Sequence, residues 1–356
     1  MGERRIVVAM SGGVDSSVVA GLLKAEGHTL IGVTLQLRPC DDRMSSRSCC
    51  SMDAINQARA VAGALDIPHY VLDCRAEFEA KVLLPAWAEY QAGRTPSPCL
   101  HCNREIKFGM LLAYAQRLGA DCIASGHYAR LLHDPQPRLM RGLDRQKDQS
   151  YFLSALEPDA LGHLLLPLGG FTKAQVRDMA REMKLPTAER HESQDACLVY
   201  EGLSFPESLR QRYGTDQQSG NFVDVSGRAL GPHKGLHQYT IGQRRGLGVA
   251  LGQPAYVVRL EADKGSVVLS TDSADLLSGG LRASGVHWYA DPPTRCEVQI
   301  RSRHQACEAS ITHLGAGEVL VNFNTPQSAV TPGQALAFYE GDRVLGGGWI
   351  GEALLG

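Results

Sequence analysis

The feature that most limits how this chain folds is a junction near its start. Ile6-Val7-Val8-Ala9-Met10 is a short apolar run, and Ser11-Gly12-Gly13-Val14-Asp15-Ser16-Ser17 follows it without a spacer. Val18, Val19, Leu22 and Leu23 then recur at helical spacing, with Gly27 as the stop. A nearly continuous apolar strand belongs in the centre of a parallel sheet. The paired glycines let the backbone turn with its N–H groups inward, and the helix N-terminus adds partial positive charge, so the loop suits a phosphate. Ser11, Ser16 and Ser17 add hydroxyl donors. Taken alone, the segment also fits an ordinary strand-to-helix turn with a serine cap. It lacks a Gly-Lys-Ser/Thr ending, so no loop lysine meets a transferring terminal phosphate and P-loop kinase or NTPase chemistry is disfavoured.

Strand-like and helix-like segments alternate up to about residue 205: strands over 29–35, 69–73 and 121–125, helices over 51–65, 75–92 and 172–184. This is the pattern of an α/β fold with a doubly wound parallel sheet, whose ligands lie beyond the carboxyl ends of the strands. Leu35 and Gly126 fall at such ends. Gly-rich segments over 220–224 and 242–248 mark a small β-rich central region. After about 280, short alternating strands with turn signals at Thr331-Pro332-Gly333 and Gly346-Gly347-Gly348 read as a C-terminal β-barrel. The expected domains are residues 1–205, 206–280 and 281–356.

A formal charge of −2 gives no general pull towards nucleic acid, so any RNA must meet local basic patches. No apolar stretch approaches membrane-spanning length, and no basic segment followed by an apolar region opens the chain. The expectation is a cytoplasmic protein that meets no membrane, monomeric for want of an interface stripe. Ten cysteines over 356 residues do not make a small disulfide scaffold. They point instead to structural thiols, metal ligands or catalysis.

The second informative constellation is Thr95-Pro96-Ser97-Pro98-Cys99-Leu100-His101-Cys102-Asn103-Arg104-Glu105-Ile106-Lys107-Phe108. Its prolines stiffen the approach, and Cys102-Asn103 is expected to open a helix bearing Ile106, Met110, Leu111 and Tyr114. A thiol at a helix start has a lowered pKa, and Arg104 and Lys107 add positive charge. Cys197 lies in the polar segment Ser193-Gln194-Asp195-Ala196-Cys197-Leu198.

Ser-Gly-Gly-Val-Asp-Ser resembles the PP-loop of the ATP pyrophosphatases. Further blocks follow in order: Cys102-Asn103 with Ile106-Lys107-Phe108, Gly126-His127-Tyr128-Ala129, Lys147-Asp148-Gln149-Ser150-Tyr151, Ser193-Gln194-Asp195 with Cys197, and His237-Gln238-Tyr239-Thr240-Ile241-Gly242-Gln243. Together they resemble the tRNA-specific 2-thiouridylases over nearly the whole chain. The resemblance implies ATP-dependent exchange of oxygen for sulfur at C2 of the wobble uridine, through adenylation of that oxygen and release of AMP and pyrophosphate. Ala9, Met10, Ser11, Gly12, Gly13, Val14, Asp15 and Ser16 would hold ATP, with Mg2+, and Leu35 and Gly126 would border the adenosine. Cys197 would carry the transferable sulfur as a persulfide, and Cys102 would complete its release through a disulfide. The sulfur would come from a donor protein, a cysteine desulfurase or a relay protein.

One departure alters the mechanistic question. The better-known family pattern has an aspartate three residues before the first catalytic cysteine, and here that position is Cys99. Cys99, Cys102 and Cys197 are three thiols able to ligate three irons of a 4Fe–4S cluster, leaving the fourth iron open for hydrosulfide. A redox Cys-x-x-Cys pair is an alternative, as is a zinc site completed by His101 or by Cys40, Cys49 or Cys50. Those last three lie in a polar stretch that reads as a mobile loop, either a lid or a variable surface. Cys74, Cys122, Cys296 and Cys307 sit in or beside strand-like runs and are expected to be small hydrophobes.

For tRNA, the resemblance nominates Ser97, Pro98 and Cys99 beside the flipped base, since chemistry at C2 requires the nucleotide to leave its stack. It also nominates Lys147, Asp148, Gln149 and Gln334; His127, beside Gly126 at a strand end, fits either RNA contact or packing, and Arg301 and Ser302 lie in a basic patch that fits either RNA or a solvated surface. Arg141 and Arg145 make the Lys147 segment locally basic, while Arg244-Arg245 and Arg303 belong to patches in the later domains that also fit a solvated surface. Two other functions are weighed: an amidotransferase-type synthetase that adenylates a small molecule, and a non-catalytic RNA-binding protein with zinc at Cys99 and Cys102. Pyrophosphate release that depends on tRNA separates thiolation from both.

Overall fold

A computed structural model describes residues 2–38, 52–190, 199, 202–214, 219–249 and 251–355. The chain forms two compact units interleaved in sequence. One comprises Met1–Val82, Cys99–Leu203 and Asp342–Val344; the other comprises Leu83–Pro98, Ser204–Gly341 and Leu345–Gly356.

The first unit is built on β1 (Arg5–Ala9), β2 (Thr29–Gln36), β3 (His69–Asp73), β4 (Cys122–Ala124), a hairpin of β5 (Ala129–Leu132) and β6 (Arg138–Arg141), and β7 (Leu164–Leu165). Its parallel sheet runs β3-β2-β1-β4-β7. β1 is central, with Ile6 opposite both Leu30 and Cys122, and Ile6, Val7 and Val8 are completely buried, as a strand covered on both faces must be. The helix α1 (Val14–Ala25) packs Val18, Val19 and Leu23, and α2 (Met52–Ala64) packs Ala58 and Val61, into the same core as Ile6, Val8 and Leu30. The helix Lys173–Glu182 adds Val176 and Ala180 and begins with a reciprocal capping box between Thr172 and Gln175. Met140 of β6 pairs with Arg343, and Asp342 accepts hydrogen bonds from Arg130 and Arg145, so residues 342–344 belong here.

In the second unit, β8 (Gly220–Asp224), β9 (Ala229–His233), β10 (Tyr256–Glu261) and β11 (Ser266–Ser270) form a sheet in the order β10-β11-β8-β9. Phe222, His233 and Tyr239 stack edge to face at its centre. The remaining strands are β12 (Leu277–Trp288), β13 (Arg295–Gln299), β14 (Cys307–Gly315), β15 (Glu318–Ser328), β16 (Ala335–Glu340) and β17 (Arg343–Leu355). They run β12-β15-β14-β13-β16-β17, and β17 pairs back on β12 to close a six-stranded barrel. Two expectations are corrected. β13 and β16 are short, at 5 and 6 residues, but other barrel strands are long, 12 residues in β12 and 13 in β17, and register shifts curve those two into closure. Gly346-Gly347-Gly348 is no turn but the interior of β17, where a Cβ on Gly346 would lie 2.2 Å from His287 O.

Among the described residues no helix is long and apolar enough to cross a membrane.

Candidate active site

The loop after β1 closes on itself. Gly12 turns at φ +71°, and a Cβ there would stand 2.1 Å from the Ala54 carbonyl oxygen, so only glycine fits. Gly13 is the N-cap of α1, extended and with no side chain to cap the first turn, whose N–H groups lack helical acceptors and are left for an anion. Ser16 Oγ donates to Gly13 O at 3.2 Å, accepts from Ser11 N at 3.2 Å, and lies 3.3 Å from Ser11 Oγ. Ser17 corrects the sequence reading: it is wholly buried, and its hydroxyl donates back to Gly13 O at 2.8 Å. Met10 and Val14 are buried too, so Met10 and Val14 can serve a nucleotide only through their backbone. Ala9 ends β1 opposite Val33, and Leu35 pairs with Leu72 one residue from the end of β2. Gly126 lies two residues beyond β4, where a Cβ would come within 3.1 Å of Asp15 Cβ and Ser16 N. Those strand ends therefore open on the loop.

Asp15 is the hub. Lys173 Nζ donates to its two oxygens at 2.6 and 2.7 Å, and the Tyr128 hydroxyl donates to Oδ1 at 2.7 Å. The ammonium also lies 5.7 Å from the centre of the Tyr128 ring. Lys173 is the first residue of its helix, and its N–H donates to Asp144 Oδ2 at 3.1 Å. The cation absent from the loop sequence thus arrives from a distant helix. Neither Lys173 nor Tyr128 was singled out from the sequence. Tyr128 belongs to the Gly126-His127-Tyr128-Ala129 block, which is its only signal in the sequence.

The thiol helix begins earlier than expected. Helical turns run from Pro98 to His101, widen to i→i+5 turns over Cys102–Met110, and tighten again over Leu111–Arg117. Pro98 suits a first helical position because its missing N–H is one a helix start leaves unpaired. Cys99, not Cys102, therefore occupies the first turn. The two cysteines stand at i and i+3 on one face. Cys102 is buried, and Asn103 beside it donates from Nδ2 to Phe152 O at 2.9 Å. Within the wide turn, Gly109 leaves room for Arg104 O, which would lie 2.7 Å from a Cβ. The positive charge expected from Arg104 is offset by Glu105, 2.9 Å away, which Lys81 also meets at 3.3 Å. Burial pushes the Glu105 carboxyl up, but hydrogen bonds and charge from Arg104 and Lys81 outweigh it and hold the group below its ordinary value.

His127 ties this helix to the end of β4. Its ring stands 5.3 Å from that of Phe108, and Nδ1 lies 2.6 Å from Ser125 Oγ. Burial, aided by Lys107, pushes its pKa down to about 3, so the imidazole is neutral at physiological pH. Gln149 clamps the same strand end, its N–H donating to Tyr128 O at 2.8 Å and its Oε1 accepting from Tyr128 N at 2.9 Å. Asp148 accepts from Gly142 N, Ser150 N, Ser150 Oγ and Arg141 at 2.8 to 3.2 Å. Asp148 and Gln149 thus frame the site from within. Lys147 is half-buried, and its N–H donates to Asp144 O at 3.0 Å.

The second unit carries other nominated residues. Ser97 is buried and its Oγ accepts from Ala335 N at 3.0 Å; Gln334 Nε2 donates to Thr95 O at 3.1 Å and Pro96 O at 2.9 Å. Arg301 donates to Ser328 O at 3.0 Å, and Ser302 is exposed beside it. Cys40, Cys49, Cys50 and Cys197 lie outside the described residues. Burial pushes the thiols of Cys74 and Cys296 up to about 12 and that of Cys307 to about 11, and raises that of Cys122, in keeping with packing roles. Among the described residues no group of three or more His, Cys, Asp or Glu side chains is disposed to hold a metal.

Three family models match in succession: a tRNA methyl transferase HUP domain over residues 4–201, a tRNA methyl transferase PRC-barrel domain over 208–271, and an aminomethyltransferase β-barrel domain over 278–350. The tRNA-specific 2-thiouridylase of Carboxydothermus hydrogenoformans is 46% identical over 364 residues, covering 99% of each chain. That of Moorella thermoacetica is 46% identical over 353 residues, covering 97% of this chain and 98% of its own. That of Geobacter metallireducens is 44% identical over 364 residues, covering 99% and 98%.

Proposed function

The chain belongs to the tRNA-specific 2-thiouridylase family, and from that premise we propose that it replaces the C2 oxygen of the wobble uridine of tRNA with sulfur, using ATP. A uracil oxygen is a poor leaving group. Attack of that oxygen on the α-phosphorus expels pyrophosphate and turns it into AMP, which a sulfur nucleophile then displaces. Ala9 to Ser16 hold the β- and γ-phosphates as pyrophosphate forms, and Leu35 and Gly126 border the adenosine. Lys173 supplies positive charge beside the loop and keeps Asp15 in place. The loop offers hydroxyls, amides and a single carboxylate, a donor set that fits Mg2+ arriving on the triphosphate with its own waters rather than a dedicated protein cage.

For the sulfur, Cys197 bears a persulfide whose terminal sulfur attacks C2 and displaces AMP. The Cys102 thiolate then attacks the inner sulfur of Cys197, leaving the thiouridine and a Cys102–Cys197 disulfide that an external thiol reduces. A donor protein, a cysteine desulfurase or relay protein, reloads Cys197. The tRNA meets Lys147, Arg301 and Ser302 through its backbone, and Ser97, Pro98 and Cys99 beside the flipped base. Because His127 is neutral, it serves the RNA as a hydrogen-bonding or ring partner rather than as a phosphate cation. What carries this reading is the framework within the first unit: Asp15, Tyr128 and Gln149 join the loop to the strand end that packs, through His127 and Phe108, on the helix of Cys102. Thiouridine formed from ATP, unmodified tRNA and a persulfide donor, read by mass spectrometry of the nucleosides, tests it. ATP turnover without thiouridine, or with a small metabolite in place of tRNA, would overturn it.

A second sulfur source is favoured by Cys99 standing one helical turn before Cys102. A 4Fe–4S cluster on Cys99, Cys102 and Cys197 would supply hydrosulfide at its open iron. Cys99 and Cys102 would be two of its three protein ligands. Iron and acid-labile sulfide at cluster stoichiometry in protein purified without oxygen would support the cluster. Full transfer by iron-free protein given only a persulfide donor would exclude it.

A further inference from the structure

The two groups that meet Asp15 come from distant parts of the first unit, Tyr128 after β4 and Lys173 at a helix start, yet one segment, residues 142–150, holds both. Gln149 N donates to Tyr128 O at 2.8 Å. Asp144 holds the other: its Oδ2 accepts from Lys173 N at 3.1 Å, its Oδ1 from Gln146 N at 3.1 Å, and its carbonyl from Lys147 N at 3.0 Å. Asp148 braces the segment, its Oδ1 accepting from Gly142 N at 2.8 Å and Ser150 N at 3.0 Å. Leu143 N donates to Gly169 O at 2.9 Å, which seats the segment against the residues just before the Thr172 cap.

We propose that Asp144 is a positioning residue for adenylation of the uridine: it fixes where the Lys173 helix starts, and through that where the Lys173 ammonium meets Asp15. A helix start leaves N–H groups with no helical acceptor. Thr172 Oγ1 takes that of Gln175 at 3.3 Å, and that of Lys173, the first helical residue, goes to Asp144. A carboxylate there also offsets the positive end of the helix, where a lysine is otherwise out of place. The lysine stem is flexible, so its course is set by its two ends, the N–H held by Asp144 and the Nζ held by Asp15. With side chains only 14% and 27% exposed, the Lys173–Asp15 pair is poorly screened, and a displaced ammonium is felt at the phosphate loop. Asp144 thus acts through Lys173 rather than on the nucleotide. The proposal rests on the thiolation reading and deepens it: the residue that closes the turn presenting Lys147 to RNA also seats the lysine of the phosphate loop.

The test is a double-mutant cycle read by single-turnover pyrophosphate release at saturating tRNA and ATP. Asp144→Ala should slow release about tenfold in the wild-type background but less than about twofold in Lys173→Met, because the anchor acts through a group already removed. Asp144→Asn, which keeps an oxygen for the Lys173 N–H, should recover most of the rate. An unchanged rate, or a tenfold loss in both backgrounds, would overturn the proposal. So would a raised half-saturation for tRNA with the saturated rate intact, which would confine Asp144 to shaping the Lys147 turn. Hydrogen exchange without tRNA or ATP is the second arm: the Lys173 amide should exchange about tenfold faster in Asp144→Ala, as loss of about one net hydrogen bond allows, and unchanged exchange would remove the anchor. Wild-type protein that releases no pyrophosphate with tRNA would defeat the thiolation reading, while exchange at Lys173 would still judge the anchor.

Discussion

The phosphate loop and the thiol arm are held in opposite ways. The loop is made by neighbours: Ser11, Gly13, Ser16 and Ser17 bond to one another within five positions. The arm before Cys99 is held by residues up to 239 positions away, in a unit whose barrel lies at the other end of the sequence. A local loop can keep its shape wherever its strand and helix form. The arm, residues 94–98, depends on the rest of the second unit being folded.

The comparison breaks most readily at Asp15. Asp15→Ala removes the shared acceptor of Lys173 and Tyr128, and tRNA-dependent pyrophosphate release should fall by about 10³-fold while the Tm moves little. Lys173→Met tests whether even the local loop needs one distant partner: release should fall by about 10²-fold, and unchanged release would make the ion pair merely structural. Gly12 and Gly13 sharpen the local side. Gly12→Ala should cost at least about 1–3 kcal/mol in denaturant unfolding, through its positive φ and the Ala54 carbonyl, whereas Gly13→Ala, with only Ser11 Oγ at 3.4 Å from its Cβ, should cost under about 1 kcal/mol.

Stability also follows pH. His127 has a folded pKa lowered from 6.5 to about 3, chiefly by burial, so below 6.5 the unfolded chain binds a proton that the native one refuses. Its contribution is intact above pH 6.5 and is lost as pH falls towards 3, by up to about 1.4 kcal/mol per unit. His127→Phe should flatten that slope of stability against pH. An unchanged slope would mean that the ring is not enclosed in solution.

What could be read from the residues follows the same division. The sheet, the loop and the strand ends at Leu35 and Gly126 rest on short-range periodicity and turn chemistry, and they stand as expected. Lys173 lies 158 positions from Asp15, and no local pattern links them. Cys102-Asn103 looked like a helix start because polar residues there end a proline-rich approach, but Pro98 is the better first position and takes it. Gly346-Gly347-Gly348 looked like a turn because glycine marks both turns and close strand approach, and only the pairing with β12 distinguishes them.

The most direct test of the central claim, that one protein both activates the uridine oxygen and delivers sulfur through separate groups, is to follow pyrophosphate and thiouridine together in Cys102→Ser. Expected is tRNA-dependent pyrophosphate release close to the wild-type amount in the first turnover, with no thiouridine formed. Thiouridine at the wild-type rate, or loss of the pyrophosphate burst along with the sulfur, would contradict it.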